Sequence, residues 1–232
     1  LGFVLALSLV LVSVACGSKT ESPPSGSSEV TIDTADGEHL DAVVVGQGSD
    51  VVILSHGATG TKEGFFAAAD AFAADGWRAI AYDARGVGES TGGPRNEQRD
   101  TDLRAVVDYA RSTGAKTIVL VGGSLGASLS LGMARELEAD AVVALSPPAA
   151  SFDAVGAAGD LRGEVPMFVA ASEDNEPFAD EARQVAEAAG VDAVIVSGEG
   201  HGSGVFDEHP EVIDQVIAWV DDTLGHGEKV TA

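Results

Sequence analysis

Near-continuous aliphatic runs constrain this chain more than any other feature. Val51-Val52-Ile53-Leu54, Arg78 to Tyr82, Thr117 to Val121, Ala141 to Leu145, Val165 to Ala170 and Ala193 to Val196 are each too short for a typical helix and too apolar for a strand with one wet face. Such runs suit strands covered on both sides, which is the situation of a parallel sheet between helical layers. Longer segments with helical spacing separate them: Thr61 to Ala74, Asn96 to Ser112, Ser124 to Glu138, Pro177 to Ala189 and Pro210 to Leu224. Pro177 and Pro210 stand where a first helical turn tolerates a missing N–H. Ahead of these, Val30-Thr31-Ile32 and Leu40 to Val45 alternate in polarity around the turn-like Ala35-Asp36-Gly37, so an antiparallel hairpin opens the sheet. The expectation is an α/β domain with a mostly parallel eight-stranded sheet flanked by helices. Only the stretch from Pro147 to Glu164 is free to cover a site, so any lid is small.

Charge narrows the partners. With 37 acidic against 13 basic residues the formal net charge is −24. A phosphate backbone is bound mainly by Lys and Arg, so nucleic acid is excluded as a natural partner, and highly anionic substrates are disfavoured by the same field.

The N-terminal segment reads differently from the rest. Leu1 to Ala15 carries no charge, and at 1.5 Å per residue it would make a helix of roughly 22 Å, short for a bilayer core of about 30 Å. It ends in Ser13-Val14-Ala15-Cys16-Gly17, followed by a Ser/Pro/Gly/Thr-rich stretch to Ser28, and Cys16 is the sole cysteine of the chain. A lone thiol can form no intramolecular disulfide. The segment resembles a bacterial lipoprotein signal peptide, whose cysteine is lipidated and becomes the new N-terminus. That resemblance implies residues 1–15 as signal peptide, Cys16 as the lipidation site, 16–28 as a flexible linker, 29–225 as the folded domain and 226–232 as a tail. The protein would then sit outside the cytoplasm, held to the bacterial membrane by its lipid alone. An ordinary signal peptide or an uncleaved membrane helix are the other readings of the same segment.

The chemistry is concentrated in Gly122-Gly123-Ser124-Leu125-Gly126, a G-x-S-x-G sequence placed directly after one apolar run and before a helical one. A serine on so tight a strand-to-helix turn is forced into a strained backbone, and only small residues fit two before and two after it. Its Oγ then projects from the C-terminal edge of the sheet, where the unpaired N–H groups of the helix start favour developing negative charge. Such a serine needs a base. His201, in Gly198-Glu199-Gly200-His201-Gly202 between the last strand and the last helix, comes from the same edge and is preferred over His39, His56, His209 and His226. A carboxylate should orient the imidazole from a loop after another strand. Asp174 in Ser172-Glu173-Asp174-Asn175-Glu176-Pro177 fits best, with Glu173 and Glu176 as rivals.

On these motifs the chain from about Val30 to Leu224 resembles the α/β-hydrolase family. Ser55-His56-Gly57-Ala58-Thr59-Gly60 is similar to the family's oxyanion loop, and Asp83-Ala84-Arg85-Gly86-Val87-Gly88-Glu89-Ser90 to its D-x-R-G-x-G-x-S turn. The resemblance implies the α/β-hydrolase fold with a minimal lid, an oxyanion hole formed by the backbone N–H groups of Leu125 and Ala58, and a structural role for His56. The compact middle section is most similar to small members such as dienelactone-hydrolase-like enzymes; those carry a cysteine nucleophile, whereas position 124 here is serine, so their substrate is not implied. The expected activity is cleavage of a small-molecule carboxylic ester, lactone or thioester by a Ser-His-Asp triad through an acyl-enzyme. No cofactor and no metal is expected, since the histidines show no H-E-x-x-H spacing and no phosphate-binding glycine loop is present. A serine peptidase and a non-catalytic lipid-anchored binding module are the alternatives. Phe152 and Phe206 are candidate apolar walls of the pocket.

Overall fold

The computed structural model of the chain describes residues 22–93 and 98–226. The expected signal peptide, Cys16 and most of the tail lie outside the described residues. Eight strands form one sheet in the order β1-β2-β4-β3-β5-β6-β7-β8. They are β1 (Ser28–Asp33), β2 (His39–Val45), β3 (Asp50–Ser55), β4 (Arg78–Tyr82), β5 (Thr117–Gly123), β6 (Ala141–Leu145), β7 (Met167–Ser172) and β8 (Ala193–Val196). β2 pairs antiparallel with both β1 and β4, and every later pairing is parallel. The eight-stranded, mostly parallel architecture expected from the apolar runs is therefore the one found.

Side-chain alternation explains why those runs are apolar throughout. Successive residues of a strand point to opposite faces, and here both faces are covered. Val51, Ile53, Ile118 and Leu120 face a core shared with α2 (Arg99–Ser112), α3 (Leu125–Met133), α4 (Ala154–Leu161) and α5 (Phe178–Ala189). Val52, Leu54, Val119 and Val121 face a second core shared with α1 (Phe66–Ala74), α6 (Gly204–Glu208) and α7 (Pro210–Leu224). β3 and β5 lie between the two cores, and their side chains are essentially inaccessible to water from Val51 to Leu54 and from Val119 to Val121. Each such aliphatic side chain contributes roughly 1.5–3 kcal/mol by leaving water. Among the described residues no helix is long and apolar enough to cross a membrane.

Two elements lie outside the sequence expectation, and several ends differ. The stretch from Pro147 to Glu164 contains α4, which packs on α3 and α5 and whose Ala154, Ala158 and Leu161 are buried. α6 interposes between the His201 loop and α7. α3 ends at Met133 and not at Glu138, which adopts a positive φ of 49°. β7 runs from Met167 to Ser172, whereas the apolar run suggests Val165 to Ala170. That displacement matters at the site.

Candidate active site

The parallel strands end together at one edge, and the three loops expected to carry chemistry leave the sheet there: β3 to the Ser55–Gly60 loop, β5 to Ser124, and β8 to His201. At the end of β5 the chain turns so sharply that Ser124 has φ 54° and ψ −121°, a region costly for a residue with a Cβ. Its backbone N–H donates to the Leu145 carbonyl at 2.8 Å, and its carbonyl accepts from Ala127 N–H at 2.9 Å, so the turn is pinned to β6 on one side and to α3 on the other. The flanking glycines are required by close approach. A Cβ on Gly122 would lie 2.2 Å from the Gly126 carbonyl oxygen, and one on Gly126 would lie 2.2 Å from that of Ser55.

Ser124 and His201 meet. The Ser124 hydroxyl lies 2.7 Å from His201 Nε2, within the range of a strong O–H···N bond. The histidine loop is seated against the elbow: a Cβ on Gly123 would fall 2.9 Å from the Ser203 nitrogen and 3.1 Å from Gly202 Cα. Phe178, at the start of α5, covers one face of the imidazole with ring centroids 4.1 Å apart. Partial burial holds the His201 pKa below the ordinary histidine value.

At the third position the structure sets a different side chain from Asp174 beside the imidazole. His201 Nδ1 lies 2.7 Å from Oδ1 of Asn175, not from a carboxylate. Asp174 is exposed, and its backbone N–H donates to the Gly198 carbonyl at 2.9 Å. Glu173 donates its N–H to Val196 O at 2.7 Å, and its carboxylate pairs with Arg183; Glu176 is exposed. The physical reason is the register of β7. Because the strand continues through the fully buried Ser172, Glu173 and Asp174 still follow the line of β8 and its exit, and the chain first turns toward the histidine at Asn175. The signal that could have found it was the strand end. An amide oxygen accepts from an imidazole N–H as a carboxylate does, without its charge.

In the loop after β3, expected to serve an oxyanion hole, Gly57 packs on Ser124, and Ala58 follows it in an exposed position. Leu125 is the first residue of α3, where a backbone N–H has no partner within the helix. His56 is buried and engaged: Nε2 accepts from Ala84 N–H at 3.0 Å, and Nδ1 donates to Gly57 O at 2.6 Å. Burial lowers its pKa to about 4. Arg99, not singled out from the sequence, is buried beneath this loop and donates from Nη1 to the carbonyls of His56 at 3.0 Å and Gly57 at 3.3 Å. The Asp83–Ser90 turn is structural scaffolding. Asp83 accepts from Lys62 N–H and Nζ at 2.8 and 2.7 Å, Arg85 pairs with Asp102 and Asp36, and Ser90 Oγ donates to Asp83 O at 2.8 Å. Phe206 is core, edge-on to Phe65 and 3% exposed. Phe152 is half-buried against α3.

Among the described residues, Asp75, Asp221 and His226 bring ligand atoms within 4.8 Å of one another and could share a cation. They lie at the opposite edge of the sheet, beside Trp77, whose Nε1 donates to Asp221 Oδ1 at 3.0 Å.

Residues 50–170 match the α/β-hydrolase-fold family. No curated protein matches the chain. Solved structures do. An esterase of Pyrococcus furiosus superposes with a TM-score of 0.73 at 18% identity, over 84% of this chain and 92% of that one. A Butyrivibrio proteoclasticus protein, Est1E, solved with ferulic acid bound, gives a TM-score of 0.72 at 19% identity over 84% and 99%. A Xanthomonas campestris protein described as an α/β serine hydrolase without lid gives 0.66 at 21% identity over 90% and 98%.

Proposed function

The chain belongs to the α/β-hydrolase family, and within it we propose that the protein is a serine hydrolase of small carboxylic esters, lactones or thioesters, working through an acyl-enzyme on Ser124. The observation that carries this reading is the 2.7 Å contact between Ser124 Oγ and His201 Nε2 on a strained elbow. Because the Asn175 oxygen can only accept, the bonded Nδ1 carries the proton and Nε2 offers its lone pair to the serine hydroxyl. Ser124 attacks the carbonyl carbon as its proton passes to Nε2. The tetrahedral oxyanion is held by the N–H groups of Leu125 and Ala58, each worth roughly 3 kcal/mol of barrier. His201 then returns the proton to the leaving alcohol, and the acyl group remains on Oγ. Water, activated by the same nitrogen, attacks the acyl carbon and releases the acid and free Ser124.

The stretch from Pro147 to Glu164 is taken up largely by α4, which packs on α3 and α5; little chain is left to cover the site, which suits compact substrates that enter from solvent, in keeping with the lidless Xanthomonas campestris neighbour. Lipidation at Cys16 and an extracytoplasmic, membrane-anchored location complete the proposal; metabolic incorporation of an alkynyl fatty acid that persists in Cys16→Ala would remove that part of it.

The activity is tested by fluorophosphonate labelling and by p-nitrophenyl esters of graded acyl length. Wild type should label and turn over, and Ser124→Ala should do neither. Equal labelling of both proteins defeats the assignment of the nucleophile.

A further inference from the structure

The partner of His201 is an amide, and its placement is over-determined. Asn175 N–H donates to Ser172 O at 3.2 Å, and its carbonyl accepts from Phe178 N–H at 2.8 Å and Ala179 N–H at 3.2 Å. The two residues before it are fastened to the chain that leads into the His201 loop, Glu173 to Val196 and Asp174 to Gly198. Three residues after it, Phe178 lies against the same imidazole with the two rings tilted 45° to each other. One short segment therefore supplies both the polar contact at Nδ1 and the apolar contact on the ring face.

Ionisable groups surround the pair without joining it. Asp174 and Glu176 flank Asn175 in sequence and are exposed. On the histidine's own loop Glu199 is exposed, and Glu208 of α6 accepts from the N–H groups of Glu199 at 3.1 Å and Gly200 at 2.9 Å. Glu173 is held by Arg183. Across the site Glu63 pairs with Lys62 at 3.3 Å. Among the described residues none of these carboxylates forms an ion pair with His201, and burial is the sole cause that lowers its pKa.

We propose that Asn175 is the positioning residue for His201, and that this site selects the productive tautomer through a neutral amide oxygen while leaving the imidazolium of the transition state without a compensating charge. The inference rests on the Ser124–His201 reading above and deepens it. An amide presenting its oxygen fixes Nδ1–H as a carboxylate does, so the orienting half of the third residue's task is kept. The other half, electrostatic stabilisation of the positive ring, is withheld. A carboxylate at position 175 should restore it, strengthening the base and raising the rate. It should also move the acid limb of the pH profile upward, because the charged ring is then favoured.

The experiment follows the His201 imidazole by 15N NMR titration in the full folded protein, for wild type, Asn175→Asp, Asn175→Ala and Asp174→Asn. The pH dependence of kcat/KM on p-nitrophenyl acetate and fluorophosphonate labelling are measured on the same samples. Asn175→Asp should raise the His201 titration midpoint and the acid limb together by about one pH unit or more, with at least a tenfold gain in kcat/KM above the new midpoint. Asn175→Ala should lose at least tenfold in kcat with little change in KM, and Asp174→Asn should match wild type in every readout. The proposal is overturned if Asp174→Asn shifts the titration by the amount expected of Asn175→Asp, or if Asn175→Asp leaves it unmoved. Labelling separates this from the parent reading. A moved titration without labelling of Ser124 retains Asn175 as the orienting group and discards the hydrolase, whereas labelling with an unmoved titration does the reverse.

Discussion

The α-carbon of Gly57 lies directly against the side chain of Ser124, so close that a methyl group on it would stand 3.1 Å from Ser124 Cβ and 3.7 Å from Oγ. That contact couples the loop after β3 to the elbow after β5 by packing. Gly57→Ala should push the hydroxyl or the loop by a few tenths of an ångström. Reacting groups tolerate displacement poorly, with about 1 Å costing on the order of 10²-fold. The expected result is a loss of about fourfold in kcat/KM on p-nitrophenyl acetate, with a melting temperature close to wild type. Unchanged kinetics would show that the loop yields freely and does not set the position of Ser124.

Gly126→Ala tests the same edge for stability. The added methyl would meet the Ser55 carbonyl at 2.2 Å and that of His56 at 2.8 Å, both backbone groups at the end of a central strand. Neither can rotate away as a side chain could. Overpacking of this kind costs about 1–3 kcal/mol or more, so the chemical denaturation midpoint should fall clearly with an unaltered m-value. A variant as stable as wild type contradicts the close approach of α3 to β3.

Most of the scaffold was readable because strands buried on both faces must be apolar at every position, and those from Val51 to Leu54 and from Ala141 to Leu145 are. α7 was legible to the residue, Pro210 to Leu224, because proline marks its start and Gly225, at a φ of 70°, its end. α4 was not, since Ala154-Val155-Gly156-Ala157-Ala158-Gly159-Asp160-Leu161 has small residues on every face and so no stripe to detect. At the site, Ser124 and His201 announced themselves through glycine-bounded loops. Asn175 did not, because an apolar run shows where a strand is buried but not where its last residue stops. A shift of two residues at the end of β7, past Ala170 to Ser172, is enough to bring a different side chain to the imidazole.

Arg99 should prove to be a positioning residue for the oxyanion loop. Its guanidinium is buried, burial holds its pKa below the ordinary arginine value, and its Nη1 bonds the carbonyls of His56 and Gly57. Fixing those carbonyls orients the peptide planes that lead to Ala58. Arg99→Met takes its donor from the His56 carbonyl, whereas Gly57 O keeps His56 Nδ1–H and Gly60 N–H, a cost of about 1–3 kcal/mol. The expected kinetic signature is a fall in kcat, about tenfold, with KM nearly unchanged. Partial recovery of kcat in Arg99→Lys would follow from returning one donor. A variant that loses stability but keeps full kcat would make Arg99 purely structural.

His56 should make the protein sensitive to mild acid. Its Nε2 must stay unprotonated to accept from Ala84 N–H, and burial lowers its pKa from the usual histidine range to about 4. The unfolded chain carries an ordinary histidine near 6.5. Between those values the unfolded state takes up a proton that the folded state refuses, so stability falls as the pH is lowered from about 6.5 to 4 and levels below the folded pKa. The proton uptake amounts to roughly 2–4 kcal/mol across that window. Because many carboxylates titrate in the lower part of the same range, the informative quantity is the difference between wild type and His56→Asn, measured by urea denaturation at several pH values. The amide side chain of that variant takes up no proton in either state, so its stability should decline less steeply from about pH 6.5 to 5, where few carboxylates have begun to protonate. Parallel slopes for the two proteins would mean that His56 takes up its proton as readily in the folded state as in the unfolded one, and that the loop beneath Ser124 is not held by a neutral imidazole.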